Sequence, residues 1–124
     1  MAGTLTISTL SDGTNSTSST NCIQGSAKAW INYKGTSTQS VRASYNVSSV
    51  TVNGTGDYTI NFTNAMPSNY AGVCMTNDDA STTNYNVLAS NWSTPTTTAF
   101  RVVCAKTSSN SLYSPLYLYV AFFG

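Results

Sequence analysis

The 124-residue chain has few side chains that exchange protons near neutral pH, because it contains no His and no Glu. Its acidic residues are four Asp, and its basic residues are five Lys and Arg. General acid–base catalysis needs groups that exchange protons near neutrality, and a nucleophilic Ser or Thr needs a neighbouring base. We therefore predict that the protein is not an enzyme, with no catalytic residue and no cofactor.

The few acidic residues are placed as loop and turn residues are. Asp12 precedes Gly13 and Asp57 follows Gly56, which is typical of turns. Asp78 and Asp79 are the one adjacent acidic pair, but neighbouring side chains usually point apart. A solvated loop is therefore favoured over a Ca²⁺ site, and we predict no metal site.

Cysteine is scarce and odd in number, with Cys22, Cys74 and Cys104. An odd count excludes a complete intramolecular disulfide framework, and the spacing is not that of metal ligands. We predict three free thiols in a reducing compartment, with a Cys74–Cys104 disulfide as the alternative.

The chain also has a small net charge and lacks long apolar runs. The net charge is +1 and the cations are scattered, which predicts no nucleic-acid partner. There is no apolar run of membrane-spanning length and no signal peptide. We therefore predict that the protein is made in a cytoplasm and does not insert into a membrane.

Ser, Thr and Asn dominate the composition, with 19, 20 and 13 residues, or 52 of 124. Eight Tyr, four Phe and two Trp alternate with these polar residues, which favours a folded two-faced sheet over a disordered chain. No window has a helical period. We predict one all-β domain over residues 1–124: an N-terminal strand and polar loop over 1–26, for attachment or subunit crossing, and a body over 27–124.

The clearest strand signals lie between Ala27 and Phe62. Apolar residues alternate in the first run (Ala29, Ile31, Tyr33), in the second (Val41, Ala43, Tyr45) and in the third (Tyr58, Ile60, Phe62). An Asn53-Gly54 pair precedes the third run and is a strong hairpin signal. This pattern predicts an antiparallel β-meander, and further strands along the chain predict an antiparallel, jelly-roll-like β-sandwich.

The last run, 116–123, is apolar on both faces. Such a strand is either central in a sandwich or packed against another subunit, and we favour the subunit contact. The predicted subunit-interface residues are Trp30, Tyr117, Tyr119 and Phe123.

Three strings make part of the chain recognisable: GSAKAWINYKGT, VRASYNVSSVT and NGTGDYTINFTNAMPSNYA. They resemble the C-terminal domain of bacteriophage tail fibres and related tail proteins, over residues 11–14 and from Gly25 to about Ala71. Such domains are trimeric virion parts near the host-facing end of a fibre. The resemblance implies a homotrimer located in the virion, made in the host cytoplasm and released with the particle.

Recognition is the function that this composition and resemblance favour. Aromatic rings beside amides and hydroxyls suit carbohydrate or protein surfaces. The predicted receptor-binding residues lie in three loops and are Asp78, Asp79, Asn84, Tyr85, Asn91, Trp92, Asn110 and Tyr113. The expected partners are other copies of the chain, other virion proteins, and a host cell-surface glycan or protein.

Two other functions remain open at this point. One is a small capsid or tail decoration protein with a purely structural role. The other is a monomeric carbohydrate-binding module. A monomer would require the apolar last strand to be central in the sandwich.

Overall fold

The computed structural model describes residues 3–77, 86–90, 93–106 and 109–124. Within them the chain is mostly antiparallel β-strand, as the alternating pattern predicts, and it also has one short helix, which that pattern does not predict. The elements are β1 (Thr9–Ser11), β2 (Ser16–Ser18), α1 (Ser19–Gly25), β3 (Ala29–Lys34), β4 (Ser40–Tyr45), β5 (Val47–Gly54), β6 (Asp57–Phe62), β7 (Ala71–Asn77), β8 (Asn86–Ser90), β9 (Ala99–Lys106) and β10 (Tyr117–Phe123).

Eight of these strands form two four-stranded sheets. The strand order is β4-β3-β10-β7 in the first sheet and β5-β6-β9-β8 in the second. Every pairing within them is antiparallel. The strands β1 and β2 form a separate two-stranded hairpin.

One hydrophobic core is shared by the two sheets. Side chains alternate along a strand, so every second residue points to the same side. One such set of alternate residues is buried in the core from each of four strands: β3 and β10 in the first sheet, and β6 and β9 in the second. The strands supply Ala29, Ile31, Tyr33, Tyr58, Ile60, Phe62, Phe100, Val102, Cys104, Leu118, Val120 and Phe122 to this core. Its aromatic rings meet edge to face, with Phe62 and Phe122 centroids 5.0 Å apart and Phe100 and Phe122 centroids 5.1 Å apart.

The predicted β-meander is wrong, because the chain changes sheets at Asn46. Strand β4 belongs to the first sheet and β5 to the second, so this stretch makes two hairpins. Asn46 is the single residue between them and has a φ of 55°. Its carboxamide donates to the carbonyls of Lys28 and Asn64, both at 3.2 Å, and accepts from the Asn64 N–H at 2.8 Å.

The hairpin between β5 and β6 forms as predicted, but its turn is Thr55-Gly56. Strand β5 continues through Asn53 and Gly54, and φ becomes positive only at Gly56, at 66°. A Cβ there would lie 2.5 Å from the Tyr113 carbonyl oxygen, which allows only glycine. The Gly56 carbonyl also accepts from the Cys104 N–H at 2.7 Å. This turn therefore joins β6, β9 and the connection that leads to β10.

Strand β10 is central in the first sheet, between β3 and β7. Its Leu118, Val120 and Phe122 face the core, and the alternate residues face outward and are half-buried. The sequence left two explanations for the apolar last strand, a subunit contact or a central position in the fold. The structure gives it a central position within its sheet. Its outward residues remain available for such a contact.

The N-terminal region differs from the expected strand and polar loop. The alternating run Thr4–Leu10 predicts the first strand, but β1 is only Thr9–Ser11, and residues 19–25 form a helix. Ser18 caps this helix by accepting from the Asn21 N–H at 3.1 Å. Seven residues are too few to give a readable helical period, which is why the sequence pattern missed α1.

Candidate functional site

The outward side of the second sheet is a polar face, which we define as the outward side chains of β5, β6 and β9. The Asn61 amide donates to the hydroxyls of Ser49 and Thr51 at 3.0 and 3.1 Å. The Asn53 amide donates to the Thr59 hydroxyl at 2.9 Å and to the Asp57 carboxylate at 3.1 Å. Its amides and hydroxyls thus pair with each other across the strands.

Asp57 is a structural carboxylate at the start of β6. Both carboxylate oxygens accept from Arg101, from Nε at 2.9 Å and from Nη2 at 2.5 Å. These hydrogen bonds and that of Asn53 hold the Asp57 pKa below its ordinary value, although burial opposes the effect. The prediction of a simple turn residue is incomplete, since Asp57 is buried and ion-paired across β6 and β9.

The outward side of the first sheet is an apolar face, which we define as Trp30, Tyr45, Val73, Met75, Tyr119 and Ala121. The strand register sets these side chains in two rows, because directly paired residues point to the same side of a sheet. One row runs Tyr45, Trp30, Ala121, Val73 and the next runs Ala43, Asn32, Tyr119, Met75. Four neighbouring strands therefore present one continuous hydrophobic surface to the outside.

The exposure of this apolar face is large for a folded domain. Met75, Tyr45 and Val73 are 65%, 59% and 56% exposed, and Trp30 is 40% exposed. A shallow depression of about 350 Å³ lies between Trp30, Val73 and Met75. Contiguous apolar surface of this kind marks interaction sites or aggregation hazards.

One polar group sits in the middle of the apolar face. Asn32 lies between Ala43 and Tyr119 in the second row, and its Oδ1 is inaccessible to solvent. That oxygen has no hydrogen-bond partner among the described residues. A buried acceptor without a donor lowers stability by about 1–3 kcal/mol.

The four predicted interface residues all lie on the outward side of the first sheet. Trp30 and Tyr119 are within the apolar face. Phe123 pairs with Ala71 at one end, and Tyr117 pairs with Lys34 at the other. The Arg42 guanidinium stacks over the Tyr117 ring at 4.4 Å, which places a cation at this margin. The structure brings these four residues to one surface and leaves their role as an interface a prediction.

Most of the predicted receptor-binding residues fall outside the described residues: Asp78, Asp79, Asn84, Tyr85, Asn91 and Trp92. The two that are described, Asn110 and Tyr113, lie in the connection between β9 and β10. Asn110 has a φ of 55° and its N–H donates to the Lys106 carbonyl at 2.8 Å, as in a tight turn. The Tyr113 N–H donates to the Cys104 carbonyl at 2.9 Å, and its ring lies 4.6 Å from the Lys106 ammonium.

The cysteines are free thiols, and Cys74 and Cys104 lie in different sheets. Burial raises the pKa of Cys74 to about 11 and that of Cys104 to about 12. Cys22 is exposed. Since the thiolate is the reactive form, the partly buried Cys74 and the buried Cys104 are unreactive at neutral pH.

No group of three Cys or Asp residues within the described ranges is arranged to hold a metal ion. In the same ranges, no helix has the length and hydrophobicity needed to cross a membrane. Asp12 accepts from the N–H groups of Thr14 and Asn15 at 2.9 and 2.7 Å, and these bonds lower its pKa. The two described carboxylates are thus occupied in a turn and in an ion pair.

Sequence reasoning missed Tyr45, Val73 and Met75 as surface residues. Alternation shows that a strand has two faces, but it does not say which face is inward. In β4 the residue on the inward side beside Ile31 is Ser44, and Ala43 and Tyr45 lie on the outward side, whereas a register shift pairs Val41 with the core residue Tyr33. The sequence signal that could have revealed this face is the final strand. Its outward side chains are apolar, so the neighbouring strands are expected to place apolar side chains on the same side of the sheet.

Comparison of the chain with protein-family models, with curated proteins and with solved structures gives no match. The apolar face is therefore interpreted from its own geometry.

Proposed function

We propose that the protein is a non-enzymatic bacteriophage virion component, a tail-fibre-type domain that assembles as a homotrimer and attaches to the host surface. In this proposal the two sheets form a jelly-roll-like β-sandwich. The resemblance of residues 25–71 to tail-fibre C-terminal domains supports the virion role. The expected contacts with a host glycan or protein are made by the loops that follow β7, β8 and β9.

The apolar face is the observation that carries the proposal. A monomer would expose Trp30, Tyr45, Val73 and Met75 to water together. Removing apolar surface from water contributes about 25 cal/mol for each Å². Covering this face therefore makes the free energy of association more favourable. A subunit contact is the simplest way to cover it.

The placement of the described carboxylates supports a non-enzymatic role. Asp57 is held by Arg101, and Asp12 is held by backbone N–H groups of its own turn. Among the described residues, neither faces a second carboxylate across a cleft, the arrangement that glycoside hydrolysis requires.

The first test is the native mass, measured by light scattering on a sizing column at micromolar concentration. We expect three times the mass of the chain. The trimer should then cosediment with intact cells of a susceptible bacterium. A trimer that binds no cell in a broad panel would favour a decoration protein, and a monomer would contradict the assembly.

A monomeric carbohydrate-binding module is the second candidate, and the same face favours it. The rings of Trp30, Tyr45 and Tyr119 lie on one side of a sheet, and such rings stack on the faces of sugars. Affinity electrophoresis in gels that contain soluble polysaccharides separates the two functions. A monomer retarded by a polysaccharide, with retardation lost in Trp30→Ala, would support the module.

A further inference from the structure

The chain contains a second uncovered apolar surface, on the segment that we call the N-terminal arm, residues 3–26. The arm consists of β1, β2 and α1, and none of its residues is buried. Leu5 is 80% exposed and Ile23 is 64% exposed. Its apolar side chains meet in one depression, lined by Leu5, Ile7, Leu10, Cys22 and Ile23.

The arm is nearly independent of the rest of the domain. Helix α1 packs against β1 and β2, and no residue of the arm belongs to the described hydrophobic core. The contact with the start of β3 is local: the Lys28 ammonium donates to the Ile23 carbonyl and, at 3.0 Å, to the Ser26 hydroxyl. A compact apolar segment held by so little requires another surface to cover it.

The apolar face and the arm have complementary charges as well as complementary hydrophobicity. Asp12 is the one charged residue in the sequence of the arm. The four strands of the first sheet carry Lys34 and Arg42 and no acidic residue. Both cations lie at the margin that contains Tyr117, so an arm seated on the face can direct Asp12 toward them.

We infer that the N-terminal arm of one copy of the chain covers the apolar face of a neighbouring copy. The inference rests on the proposed homotrimer and names the surfaces that build it. Each copy both gives an arm and receives one, so the contact is heterologous and closes when the rotation between copies completes a ring.

Cross-linking between the arm and the face tests this inference. Cys22 supplies a native exposed thiol on the arm, and Met75→Cys places a second thiol on the apolar face, at a side chain that is mostly exposed. A short bis-maleimide is added at pH 7, where the buried Cys74 and Cys104 are protonated and do not compete. The matched control is Thr51→Cys on the polar face, and the second control is Cys22→Ser combined with Met75→Cys.

We expect Met75→Cys to give covalent dimers and trimers on a denaturing gel, and Thr51→Cys and the Cys22→Ser double variant to lose most of them. Multimers that persist in the double variant would show that two apolar faces meet directly, and would overturn the inference. A link within a single chain would place the arm on its own face and overturn it as well. A native trimer without any cross-link overturns the arm contact alone, whereas a native monomer overturns the proposed assembly too.

Discussion

Asp57 and Arg101 form an ion pair that joins two strands of the second sheet. Replacing Arg101 with Leu leaves the buried carboxylate with the Asn53 amide as its remaining described side-chain donor. The guanidinium donates two charge-assisted hydrogen bonds to the carboxylate, and partial solvent screening moderates their contribution. We expect Arg101→Leu to lower the free energy of unfolding at pH 7, measured by urea denaturation.

The same pair sets a pH dependence whose sign follows from the lowered pKa of Asp57. A carboxyl with a lower pKa in the folded state stabilises the fold above its unfolded-state pKa, and the contribution is lost as pH falls through the folded-state value. The difference in stability between the parent and Arg101→Leu should therefore shrink below about pH 4. A difference that is constant from pH 7 to pH 3 would contradict the role of the pair.

Gly56 and Gly54 provide a matched pair of glycines in one hairpin. Gly56 has a φ of 66°, and a Cβ added there would lie within 2.7 Å of the backbone of Tyr113 and Cys104. A Cβ added at Gly54 would meet nothing within 4 Å. We expect Gly56→Ala to lower stability by at least about 2 kcal/mol, and Gly54→Ala to change it by less than about 1 kcal/mol. Thermal unfolding of both variants, followed by circular dichroism, measures the difference.

Among the elements, the connection between β4 and β5 depends on one side chain. Asn46 combines a positive φ with three hydrogen bonds to backbone groups of Lys28 and Asn64. We expect Asn46→Ala to lower stability by about 2–4 kcal/mol, and Asn46→Gly to recover about 1 kcal/mol of this by removing the backbone strain. Chemical denaturation of the two variants separates the backbone from the side-chain contribution. Equal losses would exclude backbone strain at this corner.

The core could be predicted from the sequence, because strict alternation marks one parity of β3, β6 and β9. Three other features could not. A register shift splits the apolar parity of β4, with Ala43 and Tyr45 on the outward side and Val41 beside Tyr33. Helix α1 is too short for a period, and Met66 is buried although it lies beside Pro67 in a stretch with turn character. In each case contacts with distant residues outweigh the local pattern. For the site, the four predicted interface residues share one side of a sheet, but the apolar face also needs β4 and β7, whose register no local pattern reveals.

At the scale of the whole molecule, the two outer surfaces are chemically opposite. The polar face pairs its amides and hydroxyls internally, and the apolar face leaves large side chains uncovered. A charge introduced on the apolar face should therefore act on assembly, while the same charge on the polar face should have little effect.

Tyr45→Asp and Thr51→Asp test this difference on two edge strands with exposed side chains. Burying an unpaired carboxylate in a subunit contact costs about 3–5 kcal/mol, so Tyr45→Asp should weaken the trimer by 100-fold or more. Thr51→Asp should remain trimeric. Analytical ultracentrifugation over a range of concentrations measures both, and a trimer that tolerates Tyr45→Asp would exclude this face as the contact.

The central position of β10 also has a consequence for the order of folding. In the first sheet, Trp30 near one end of the chain pairs with Ala121 near the other, and β10 separates β3 from β7. Pairings between segments so distant in sequence form slowly, because the intervening chain must first be brought together. The first sheet therefore stays incomplete on the ribosome until residues 117–123 have been synthesised, and β3 and β4 wait as an unsupported hairpin.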